Sequence, residues 1–180
     1  MSTIQDVQGV LDEARALVTS LSGDNLSVST PCEGWDVKAL VEHMTWVVGS
    51  FARGMGADEA AGDTVDTTGA YAGAVASLTR QMHLPEALDQ ILKLPFGEMP
   101  AEQALAIVLA DQMIHTWDLS KALGRPYSMN QRLAAGTLAG LQHMLTPDRR
   151  GPGQPFGPEV PCPADAPVQD RLLAFTGRHP

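Results

Sequence analysis

Asp111, His115 and Asp118 stand in the mainly apolar run Leu109-Ala-Asp-Gln-Met-Ile-His-Thr-Trp-Asp-Leu119. At 3.6 residues per turn, Asp111 and His115 are one helical turn apart and Asp118 about two turns from Asp111, so the three share a face. The preceding Ala104-Leu-Ala-Ile-Val-Leu-Ala favours helix and offers few polar partners. An inward carboxylate and imidazole would each lose hydration there, and a metal ion would compensate them. The spacing also leaves open an inward aspartate that pairs with an arginine or caps a backbone group.

A metal needs ligands from a second element. Asp36 is a good N-cap for a helix whose apolar stripe is Val37, Leu40, Val41, Met44, Val47, Val48 and Phe51, and His43 falls at the edge of that stripe, where a lone histidine is more often bonded to backbone than a ligand. Trp35 is placed to staple onto Leu40. Two imidazoles and one carboxylate give three protein ligands and leave a coordination position open, as catalytic sites do. Zn²⁺ suits this set, and Fe²⁺, Ni²⁺ and Mn²⁺ use the same ligand types.

Further helices frame these two. Ile4, Val7, Leu11, Ala14, Val18 and Leu21 form one stripe, with Ser2 and Gln5 as a capping box. Residues 54–69 read as a surface connection lying over the mouth of a site. Tyr71, Val75, Leu78 and Met82 restore the helical period, with Thr67 or Thr68 as cap, Pro85 at the close and His83 as an exposed C-terminal cation. Residues 88–95 suit a short extended arm rather than a central strand. The helix carrying Asp111 starts at Pro100 and ends at Gly124. Ser128 with Gln131 opens another helix, through Leu133, Leu138, Leu141, Met144 and Leu145, on which His143 is structural or solvent-facing. The stretch 151–167, rich in Gly and Pro, cannot form regular structure, and 168–175 closes as a short helix. The pattern is that of an all-α four-helix bundle with an irregular extended C-terminal segment, a single domain over 1–180.

Composition excludes several function classes. A net charge of −9 with scattered basic residues gives no surface for tracking phosphates, so nucleic acid is not expected as a partner. No apolar run reaches the roughly 20 residues that span a bilayer, and no signal peptide opens the chain, so a cytoplasmic location is expected. Cys32 and Cys162 lie in proline-flanked segments far apart and indicate no disulfide framework; each offers a reactive thiol, but with no basic cluster nearby to lower its pKa the reading as a small apolar loop residue is favoured.

Two segments, Thr30-Pro-Cys-Glu-Gly-Trp-Asp-Val-Lys-Ala-Leu-Val-Glu-His43 and Asp111-Gln-Met-Ile-His-Thr-Trp-Asp-Leu-Ser-Lys-Ala-Leu-Gly124, together with the tail from Phe156 to Gly177, resemble the actinobacterial branch of the DinB-like metal-binding superfamily. That branch includes the mycothiol-dependent maleylpyruvate isomerases. The resemblance implies a DinB-like bundle holding a divalent metal, often zinc, through His43, Asp111 and His115. It leaves a homodimer open, since such bundles are often dimers. Asp111 departs from the glutamate of the isomerases, and their additional C-terminal domain is not expected here. Thiol activation is chemistry that both departures leave in place. The expected function is a metal- and mycothiol-dependent transferase or isomerase of small electrophiles, the alternative being a non-catalytic metal-binding or thiol-sensing module. Asp118, Trp46 and Trp117 are candidates for outer support or pocket walls, with core packing the favoured role of the two tryptophans. Asp118 has the competing role of stabilising the helix surface or pairing with an arginine.

Overall fold

Apolar stripes at helical spacing become the helices expected from them. A computed structural model describes residues 4–58, 66–146, 149–151 and 156–180. The chain falls into two compact units, Met1–Tyr127 and Ser128–Pro180. Among the described residues six helices account for 62% of the structure, with one small two-stranded sheet, an all-α fold.

In the first unit, α1 (Ile4–Thr19) buries Val7, Val10, Leu11, Ala14 and Val18. Helix α2 (Val37–Gly54) buries the whole predicted stripe, and α3 (Thr67–Met82) buries Tyr71, Val75, Leu78 and Met82. Helix α4 (Ala101–Ala122) differs in kind, because every residue from Gln112 to Ser120 is buried. Both α1 and α2 pack against α3 and α4, which closes the four helices into a bundle. The extended arm is a hairpin of β1 (Ile91–Leu94) and β2 (Gly97–Pro100), antiparallel with Leu92 opposite Met99. It packs closely on the end of α2: a Cβ on Gly54 would meet Leu94 Cδ2 at 2.9 Å. Tyr127 ties the end of this unit to α1 by donating to Glu13 Oε2 at 3.0 Å.

In the second unit, α5 (Gln131–Met144) packs on α6 (Val168–Phe175). Arg150 reaches the carbonyl of Phe175 at 2.6 Å and covers its ring. Residues 156–167 contain no helix and only an isolated bridge from Phe156 to Arg150.

Two helix starts differ from the sequence reading. Asp66, not Thr67 or Thr68, caps α3, accepting from the Gly69 amide at 2.7 Å, and Asn130, not Ser128, caps α5, accepting from Arg132 and Leu133. In each case a planar amide or carboxylate directly before the first turn reaches the unpaired amides better than a hydroxyl further off does. Ser2 of the expected first capping box, residues 59–65 of the connection expected over the site, and residues 152–155 of the tail lie outside the described residues.

Asp36 caps α2 as expected, its Oδ1 accepting from the Ala39 amide at 2.8 Å. Replacing Asp36 by Ala is expected to cost about 1 kcal/mol of stability, read as a lower midpoint in urea unfolding, whereas Asn at this position keeps most of it. An unchanged midpoint for the Ala variant would show that the cap bond contributes nothing.

Candidate metal centre

Helices α2 and α4 cross so that His43 faces Asp111 and His115. His43 Nε2 lies 3.0 Å from Asp111 Oδ1, and His115 Nε2 lies 3.6 Å from the same oxygen. The three donor atoms all lie within 4.8 Å of one another. The side chains of His43 and Asp111 are 29% and 17% exposed, so solvent reaches this point. The two imidazoles meet edge to face, with centroids 4.9 Å apart. Two borderline nitrogens and one hard oxygen converging from two helices fit a divalent cation, which would replace the proton shared by His43 and Asp111.

Each α4 residue of the cluster is held from behind. His115 Nδ1 lies 2.9 Å from Asp118 Oδ2, and Asp118 is fully buried. A carboxylate only accepts, so Nδ1 carries the proton and Nε2 presents its lone pair toward His43 and Asp111. Burial removes the helix-surface role weighed for Asp118. Asp111 is fixed through its other oxygen: Gln112 Nε2 donates to Asp111 Oδ2 at 2.8 Å and to the Met44 carbonyl at 3.3 Å. Tyr71 on α3 then donates to Gln112 Oε1 at 2.6 Å. Gln112 and Tyr71 are both fully buried, so these bonds offset the desolvation of the amide and the phenol.

The loop before α2 supplies a wall. Cys32 to Trp35 is a tight turn, with Trp35 N bonded to the Cys32 carbonyl at 3.0 Å. Gly34 adopts φ 77°, which the third position of such a turn reserves for glycine. Thr30 Oγ1 donates to the Trp35 carbonyl and accepts from the Cys32 amide. The turn sets the Trp35 ring 4.9 Å from that of His43 and 6.2 Å from that of His115. It also sets Cys32 Sγ 3.3 Å from Asp118 Oδ2 and 3.9 Å from His115 Nδ1.

Trp46, half exposed, has its ring 6.4 Å from that of His43. Trp117 is buried under Lys121, whose Nζ lies 5.3 Å from the ring. Among the described residues, the ring contacts of the two imidazoles come from Trp35 and Trp46 and from each other. Sequence reasoning missed Trp35, Cys32, Gln112 and Tyr71 as parts of this cluster. The available signals were a thiol and an indole on a Pro- and Gly-shaped turn just before a ligand-bearing helix, and an amide beside Asp111 in an apolar helix.

The chain belongs to the family of the mycothiol maleylpyruvate isomerase N-terminal domain, whose model matches residues 7–120. Two relatives, uncharacterized proteins of Mycobacterium tuberculosis from strain CDC 1551 and strain H37Rv, are each 32% identical over 181 residues, covering 99% of this chain and 98% of their own. No solved structure matches the chain. No helix among the described residues is long and apolar enough to cross a membrane.

Burial holds the phenol of Tyr71 well above its ordinary value of 10.0, and the charge of Asp111 pushes it further the same way. Burial does the same to Tyr127, helped by Glu13. A folded-state pKa above the unfolded one contributes stability that is complete below pH 10.0 and is lost as pH rises beyond it. Absorbance titration of the native chain should therefore show no tyrosinate at pH 10.0, with ionisation accompanying the loss of helical circular dichroism at higher pH. Tyr71→Phe should lower stability by about 1–3 kcal/mol by stranding Gln112 Oε1 and make the alkaline loss less steep. Normal titration of either tyrosine in the folded chain would contradict the burial argument.

Proposed function

We propose that the chain binds one divalent metal ion, with zinc the first candidate, through His43, Asp111 and His115. We further propose that it serves as a transferase or isomerase that joins a low-molecular-weight thiol, mycothiol or a close relative, to a small electrophile in the cytoplasm. The observation that carries this reading is the convergence of His43 Nε2, Asp111 Oδ1 and His115 Nε2, with Asp118 and Gln112 holding their opposite edges. Family membership supports the thiol, because the matching domain is described by its mycothiol-dependent isomerase. When bound, such a metal lowers the pKa of a thiol at its open position, so that the more nucleophilic thiolate is available near neutral pH.

The remaining work belongs to the protein. Asp118 keeps the His115 proton on Nδ1, and Gln112 turns one oxygen of Asp111 toward the two imidazoles. Trp35 and Trp46 flank His43 with apolar surface that excludes water from one side and packs against the carbon skeleton of an electrophile.

Metal analysis of the purified chain should find about one ion per molecule, reduced to background in His43→Ala and His115→Ala. A wild type that carries no stoichiometric metal after careful handling sinks the proposal. Conjugation of mycothiol to a panel of electrophiles should then be abolished by a chelator and restored by metal. Stoichiometric metal without turnover of any electrophile would instead assign a metal-binding or thiol-sensing module.

A further inference from the structure

We infer that Cys32, His115 and Asp118 form a second metal seat, suited to a thiophilic ion, on the opposite edge of the imidazole that serves the first. It rests on the proposed function only in sharing His115. Cys32 Sγ, His115 Nδ1 and Asp118 Oδ2 are separated by 3.9, 3.3 and 2.9 Å, and all three meet at the junction of the Cys32–Trp35 turn with α4. In a tetrahedral site with metal–sulfur bonds of about 2.3 Å and metal–nitrogen or –oxygen bonds of about 2.0–2.1 Å, donor atoms lie about 3.3–3.6 Å apart. The cluster is within a few tenths of an ångström of that arrangement, and its sulfur, nitrogen and oxygen donors include the soft ligand that the first site lacks.

The resting network has Cys32 Sγ–H and His115 Nδ1–H both donating to Asp118. A divalent ion entering here forms a metal–sulfur bond and releases the thiol proton to solvent. The imidazole proton transfers from Nδ1 to Nε2. With Nε2 protonated, His115 no longer offers a lone pair toward His43 and Asp111, so occupancy of one seat excludes the other. A thiophilic ion captured by Cys32 therefore shuts the first site, and the turn acts as a selector between ion types.

Cadmium is the probe, and the Cys162→Ser full-length chain is the parent, so that Cys32 is its only thiol. The near-ultraviolet thiolate-to-cadmium absorption is expected to saturate at about one equivalent, to survive in His43→Ala and to vanish in Cys32→Ser. Apparent affinity should fall about tenfold or more in Asp118→Asn and in His115→Ala. Absence of the absorption both in the parent and in His43→Ala, which disables the first seat, overturns the inference, as does an affinity unchanged by His115→Ala, which marks an adduct of the thiolate alone. Cys32→Ser, a one-atom change, and His115→Ala decide the matter even if Asp118→Asn fails to fold. Zinc retained by the parent with no cadmium absorption even in His43→Ala would leave the proposed function standing and remove the second seat; cadmium absorption in a parent that retains no zinc would do the reverse.

Discussion

The bond from His115 Nδ1 to the buried Asp118 carboxylate, 2.9 Å long, decides which nitrogen of that imidazole looks toward α2. An unpartnered carboxylate at full burial would cost several kcal/mol, and Asp118 is tolerated there because α4 and the Cys32–Trp35 turn before α2 bring donors to it. Those donors are a metal-ligand candidate on one side and a thiol on the other. One buried charge thus fixes a tautomer, anchors the turn and sets the direction in which α4 presents its chemistry.

Helix α4 concentrates the difficulty. Its buried run contains Gln112, His115, Thr116, Asp118 and Ser120, five polar side chains where a bundle helix would normally be apolar. Thr116 returns its hydroxyl proton to the Gln112 carbonyl one turn back. Gln112 spends its amide on Asp111 and the α2 backbone and accepts from Tyr71, so α2, α3 and α4 are joined by one polar chain. Such a network stabilises only when complete, which explains why so large a group as Tyr71 is committed to a single hydrogen bond.

Much of this was legible in the residues themselves. The stripes of α1 to α3 and the Asp36 cap follow from spacing and from one side chain's reach, both local properties. The neighbourhood of His43, Asp111 and His115 could be anticipated because helical periodicity aligns two of them and family resemblance adds the third. Cys32, Trp35, Gln112 and Tyr71 were not legible as members, since their roles depend on how the turn folds back over α4 and on which α3 residue lies opposite Asp111. Periodicity says that a side chain points inward, not what it will meet. The caps at Asp66 and Asn130 were misassigned for a smaller reason: several polar residues stood within reach of each first turn, and backbone geometry chose among them.

The pair His43–Asp111 joins positions 68 residues apart, and Cys32–Asp118 joins positions 86 apart. Contacts of that sequence separation pay their loop-closure entropy before they return anything, so no isolated helix or hairpin of this chain can assemble the cluster. Any ligand that requires all of its groups at once therefore binds the folded chain and not the unfolded one. By mass action its concentration becomes a variable of the folding equilibrium, and the abundance of the protein in a cell is coupled to the supply of whatever it binds.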